Sequence, residues 1–157
     1  MANEFGYNLG ALCLPLQQKR YDYGMDKIEG HLQQIEKWTE DQKHINHFLS
    51  AVLNAKQGGA TVIDFHDEEH RVLVDRIREI DPHLISSGVY TWDLDHLPML
   101  TENLQARVST IETSIGLRMM YVNHDMQELT ELIREFQDMI KQDRDSKLSM
   151  IRNAIPR

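Results

Sequence analysis

Residues 97–151 have the sequence LPMLTENLQARVSTIETSIGLRMMYVNHDMQELTELIREFQDMIKQDRDSKLSMI. After Pro98 this stretch contains one glycine, Gly116, and no further proline. Its apolar residues recur every three or four positions, which is the spacing of an apolar stripe on a coiled-coil helix. The stripe comprises Leu97, Leu100, Leu104, Val108, Ile111, Ile115, Met119, Val122, Met126, Leu129, Ile133, Phe136 and Ile140. We therefore predict a helix over residues 97–152, about 80 Å long at 1.5 Å per residue, that packs against another surface.

A second long helix is predicted over residues 25–56. Its apolar face comprises Met25, Ile28, Leu32, Ile35, Trp38, Ile45, Leu49 and Val52. The doublet Gly58-Gly59 supplies the stop signal, because glycine readily ends a helix. Residues 1–22 mix Gly6, Gly10 and Pro15 with scattered apolar side chains, and this mixture predicts a loosely ordered N-terminal segment.

The insert between the two helices, residues 58–93, combines extended and helical signals. Residues 60–65 and 89–92 are rich in β-branched and aromatic side chains, so we predict two extended segments that pair as a small ribbon. Asp67 precedes Glu68 and Glu69, which is typical of an N-cap followed by an acidic first turn. A short helix is therefore predicted over residues 68–80, ended by Asp81-Pro82.

These elements predict a mainly α fold: a long antiparallel coiled-coil hairpin with a small mixed α/β insert, forming one domain over residues 23–157. The first helix, at about 32 residues, is too short to cover a partner of about 55 residues. The apolar residues left over are Leu129, Ile133, Phe136, Ile140, Leu148 and Ile151. Unless residues 1–22 cover them, we expect them to form a surface for self-assembly or partner binding.

Composition and motifs argue for a binding protein. The net charge is −8, and no basic cluster that could bind nucleic acid is present. The sequence also contains no apolar run long enough for a membrane span and no signal-peptide pattern. The single cysteine cannot form an internal disulfide. No nucleophile elbow or phosphate loop is present. His66 and His70 have the spacing of two zinc ligands on one helix, but if Asp67 is the N-cap, His66 lies outside the helix and the two side chains do not converge. We predict a non-enzymatic protein with no catalytic site, metal or cofactor.

Two segments carry a resemblance to a known family. They are Ile45-Asn46-His47-Phe48-Leu49-Ser50 and Ala60-Thr61-Val62-Ile63-Asp64-Phe65-His66-Asp67. Together they resemble the end of the first coil helix and the start of the mixed insert in the needle-tip proteins of type III secretion systems, the V-antigen family. The long C-terminal helix is similar to theirs and to that of related secreted filament proteins.

The resemblance implies a secreted structural subunit of a type III apparatus, assembling at the needle tip or as an extracellular filament. Implied partners are copies of itself, needle or translocator proteins, and a dedicated chaperone. The implied location is the bacterial surface, reached from the cytoplasm without a cleaved signal peptide. A second hypothesis is a cytosolic secretion chaperone or regulator that binds a partner helix. A third is a small metal-binding enzyme built on His66, His70 and His83.

Overall fold

The computed structural model describes the backbone of residues 9–154 and the side chains of residues 14–154. In chain order the elements are α1 (Leu9–Gln57), β1 (Val62–Asp64), α2 (Glu68–Ile80), β2 (Thr91–Asp93) and α3 (Leu97–Ala154). The predicted fold class is confirmed: two long helices pack together, and a small antiparallel sheet lies in the insert between them. The chain divides into two compact units, one formed by residues up to Leu32 and from Met119, the other by Gln33–Arg118.

The N-terminal prediction is wrong for residues 9–22. Helix α1 begins at Leu9 rather than near Met25, and it includes Pro15. A proline inside a helix removes one backbone donor and costs about 3 kcal/mol. Since most helical stability in proteins comes from tertiary contacts, we attribute the persistence of this helix to its contacts with α3 in the first unit. Residues 1–8 of the predicted loose segment lie outside the described residues.

The second unit has a well-defined apolar core. Its fully buried side chains are Ile45, Phe48, Ile63, Val74, Ile77 and Leu104. Around Phe48, the rings of Phe65 and Trp92 make edge-on contacts with centroids 5.6 and 5.9 Å away. Such contacts add to the stabilisation that burial alone provides. The core therefore joins α1, α3 and the insert.

The insert follows its predicted elements closely. Strands β1 and β2 pair antiparallel, with Ile63 opposite Trp92 and both side chains buried. Helix α2 begins after Asp67, whose carboxylate accepts a hydrogen bond of 3.0 Å from the backbone N–H of His70. The predicted ribbon, helix and N-cap are all confirmed.

In the first unit, α1 and α3 run antiparallel. Lys27 of α1 contacts Asp125 of α3. One turn earlier on α1, Gly24 lies against Leu129, which is one turn later on α3. Tyr21 and Leu132 lie next in each direction and line a common groove. We call the row of contacts between the two helices in this unit the seam.

Candidate interaction surface

The six residues predicted to form an exposed surface have different environments. Ile133, Ile140, Leu148 and Ile151 are 43–58% exposed, and Phe136 is half-buried. Leu129 is buried by its own chain, because it lies directly against Gly24. The structure therefore leaves four of the six residues largely open to solvent and removes Leu129 from the predicted surface.

The length mismatch that motivated this surface is smaller than predicted. Helix α1 contains 49 residues and α3 contains 58. With Gly24 against Leu129, Leu9 stands at about the level of residue 144. About ten residues of α3, or 15 Å at 1.5 Å per residue, extend past that level. Leu148 and Ile151 lie in this extension, whereas Ile133 and Ile140 lie alongside α1 and are exposed for another reason.

That reason is a shift of the buried stripe around α3. In the first unit the buried residues of α3 are Val122, Asp125, Leu129 and Leu132. The predicted stripe instead contained Met126 and Ile133, each one position further along and therefore about 100° around the helix. The predicted apolar stripe thus combined the seam with a second, exposed row of apolar side chains.

Asp125 is the polar centre of the seam, and sequence analysis missed it. Its carboxylate is 3% exposed and pairs with the Lys27 ammonium at 2.6 Å. His31 Nε2 lies 3.3 Å from the second carboxylate oxygen, and the His31 ring stacks on Tyr121. Burial raises the pKa of Asp125, but the hydrogen bond and positive charge of Lys27 outweigh it, so the net pKa lies below its ordinary value. The carboxylate is therefore held ionised at the centre of the seam.

Two grooves flank the seam, and Leu132 lines both. The first has a volume of about 220 Å³ and is lined mainly by apolar side chains, with Leu14 of α1 and Ile133 of α3 among them. The second is lined by charged side chains, including Lys27, Glu128 and Glu135. The two sides of this helix pair are therefore chemically different.

The apolar side continues along both helices. On α1, Met25 and Leu32 follow Leu14 by 11 and 18 residues, which are close to whole numbers of helical turns. On α3, one apolar residue recurs every seven positions through Ile133. We define the open apolar face as Leu14, Met25 and Leu32 of α1 with Met119, Met126, Ile133 and Ile140 of α3, all 41–52% exposed. The α3 positions beside it carry Asn123, Thr130 and Gln137, so the apolar row and these neighbouring positions are uncharged from Met119 to Ile140.

The histidines of the insert are held by neighbouring carboxylates. His66 Nδ1 bonds to Asp64, and His70 Nδ1 lies 2.7 Å from Asp67. Both contacts lower the pKa of the aspartate concerned; the His66 side chain is the main cause for Asp64 and the His70 backbone N–H for Asp67. His66 precedes the N-cap Asp67, so it lies outside α2 as the sequence predicted.

One other group has metal-ligand spacing among the residues with described side chains. Donor atoms of His124, Asp125 and Glu128 lie within 4.8 Å of one another. Lys27 already pairs with the buried carboxylate of this group, and His124 and Glu128 are exposed. The cluster is best explained by the ion pair at the seam.

In comparisons with known proteins, no family model, no curated protein and no solved structure matches this chain. Within residues 9–154, no helix has the length and apolar character needed to cross a membrane. The candidate site on the described surface is the open apolar face, because its seven apolar side chains are 41–52% exposed on one side of the helix pair.

Proposed function

We propose that this protein is a non-enzymatic, secreted structural subunit of a type III secretion apparatus that assembles at the needle tip or as an extracellular filament. The open apolar face carries the proposal. Seven apolar side chains on the same side of two packed helices are each about half exposed, and large exposed apolar patches mark sites of protein association. The sequence resemblance to the V-antigen family supplies the biological setting.

The fold supports a role in assembly. The fold is built mainly from two long helices, and amphipathic helices bind partners through apolar residues at helical spacing. Needle, translocator or identical subunits are the partners that the proposal requires. The exposed C-terminal residues Leu148 and Ile151 would add to the contact area.

An export assay tests the proposed setting. The full-length protein with a small C-terminal tag is expressed in a bacterium with a working type III apparatus and in a matched strain lacking the secretion ATPase. The expected result is tagged protein outside the first strain and inside the second. Retention in both strains, together with one-to-one copurification of an exported protein, would instead identify a cytosolic chaperone and overturn the proposal.

An assembly assay tests the surface. Ile133→Asp is compared with Met120→Asp, since Met120 is exposed on the same helix but outside the open apolar face. Circular dichroism checks that both variants keep their helices. Ile133→Asp should lose surface assembly, seen by immunogold electron microscopy of secreting cells, while Met120→Asp should keep it. Equal assembly by the two variants would contradict a role for the face.

A further inference from the structure

We propose that the open apolar face binds the same face of a second copy, giving a parallel two-fold dimer in which α1 of each copy lies on α3 of the other. The inference rests on the proposed function in that it names the partner of the same surface. The area of the face, its lack of charge and the charges along its two edges support this dimer.

The area of the face fits a dimer. Each of its seven residues leaves about half of its surface exposed, which is roughly 80 Å² per residue and about 600 Å² per copy. Two copies would therefore bury about 1,200 Å², the lower end of the range for specific protein interfaces. Packing two helix pairs in this way forms a four-helix bundle, a common solution for helices with a wide apolar side.

Charge favours this face over the opposite one. The chain is acidic, with a net charge of −8, so two copies repel each other wherever carboxylates meet. The opposite groove contains Glu128, Glu131 and Glu135. Its cations are Arg20 and Lys27, and Lys27 is already paired with Asp125, so a symmetric contact there would bring an excess of carboxylates together. Because an isologous interface brings each patch against itself, the uncharged side is the one that two copies can share.

The edges of the face carry opposite charges on the two helices. On α1, Asp22 and Glu29 lie about 60° around the helix from Met25 and Leu32, on the side away from the seam. On α3, Arg134 and Lys141 follow Ile133 and Ile140, also on the side away from the seam. One outer edge is therefore acidic and the other basic.

These edges select between the two possible face-to-face arrangements. A two-fold axis parallel to the helices places α1 on α3 of the second copy, so the acidic edge of each copy meets a basic edge. An axis perpendicular to the helices places α1 on α1, so the acidic edge that carries Asp22 and Glu29 meets the acidic edge of the other copy. Like charges at close range destabilise an interface, and the parallel arrangement follows.

The levels of the charged residues agree with the parallel arrangement. Because Gly24 lies against Leu129 and the helices are antiparallel, Asp22 lies at about the same level along the helix axis as residue 131 of α3. Rotation about an axis parallel to the helices preserves this level, so Asp22 and Arg134 of the second copy differ by about one turn, or 5 Å, along the helix axis. Within the described part of its own chain, Arg134 has no ion-pair partner.

Disulfide trapping tests the arrangement. In a Cys13→Ser background, Asp22→Cys and Arg134→Cys are made as separate variants and oxidised alone and as an equimolar mixture. Loss of one exposed ion pair has little effect on association. We expect a disulfide-linked dimer in the mixture, at least tenfold above either variant alone, and a wild-type mass by light scattering of twice 18.4 kDa.

The possible results distinguish the parallel dimer from the perpendicular one, and the dimer from the proposed function. Efficient linkage of Asp22→Cys to itself would establish the perpendicular axis and overturn the parallel dimer. A wild-type monomer at every concentration up to 0.5 mM, or a dimer that survives Met126→Asp, would overturn the inference altogether. An exported monomer contradicts the dimer alone, whereas a dimer that is never exported contradicts the proposed function alone.

Discussion

The approach of Gly24 to Leu129 allows the first unit to be tested by one added methyl group. A Cβ at Gly24 would lie 2.6 Å from Leu129 Cδ2, whereas a Cβ at Gly30 would meet nothing within 4 Å. Both glycines lie inside α1, where replacement by alanine stabilises a helix by about 1 kcal/mol. Gly24→Ala adds an overpacking cost of about 1–3 kcal/mol, because Leu129 is buried and must move.

The intrinsic helix term is the same in both variants, so their difference isolates the steric contact. We expect Gly30→Ala to raise the free energy of unfolding by about 1 kcal/mol. Gly24→Ala should be about 1–3 kcal/mol less stable than Gly30→Ala. Urea unfolding followed by circular dichroism, at one protein concentration and with unchanged slopes, measures both values.

A double variant strengthens this test. Leu129→Ala alone should destabilise the protein by about 2–5 kcal/mol. Combined with Gly24→Ala it should cost less than the sum of the two single changes, because the new methyl group partly fills the space that Leu129 leaves. If Gly24→Ala and Gly30→Ala were equally stable, Leu129 would not lie against Gly24, and the antiparallel alignment of the first unit would be wrong.

Two further predictions concern burial and charge. Val74→Ala should lower the free energy of unfolding by about 1–3 kcal/mol. The control Val72→Ala, on the exposed side of α2, should change it by less than about 0.5 kcal/mol. Equal losses for the two variants in urea titrations would contradict the assignment of Val74 to the core. Asp125→Asn should be less stable than wild type at pH 7. The difference in the free energy of unfolding should shrink below about pH 4, because the lowered folded-state pKa makes the carboxylate stabilising only while it is ionised. A difference that is equally large at pH 3 would contradict this prediction.

Local signals were sufficient for most of the insert and for the long helices. The N-cap at Asp67, the acidic turn after it and the break at Asp81-Pro82 are short-range features that need no tertiary partner, and helix α2 follows them. The pairing of β1 with β2 followed from two short β-rich segments flanking one helix. Apolar spacing likewise predicted α3, because few competing signals interrupt it.

The start of α1 could not be predicted from local signals. Gly10 and Pro15 favour irregular structure in isolation, whereas contacts with α3 determine the outcome in the folded chain. Gly24 is a related case: on sequence alone it weakens a helix, yet its missing side chain admits Leu129 to the seam. Such contacts between distant segments are invisible to a pattern of spacing.

The seam of α3 was misplaced for a different reason. Leu132 and Ile133 are adjacent and both apolar, so spacing alone does not choose between them. A charged residue such as Asp125 does not match an apolar stripe, whereas Met126, one position further along, does. The seven-residue repeat of Met119, Met126, Ile133 and Ile140 was nevertheless present in the sequence, and treating it as a second row would have predicted the open apolar face.

The polar composition of the seam has a consequence for local stability. The seam includes Gly24, His31 and Asp125, whereas the core of the second unit is built from apolar side chains such as Phe48 and Leu104. Ion pairs add little net stability compared with apolar contacts. Backbone amides around Gly24 should therefore exchange with solvent deuterium faster than those around Phe48. The half of the molecule that offers the open apolar face is thus the half that opens more readily, and association there would slow its amide exchange.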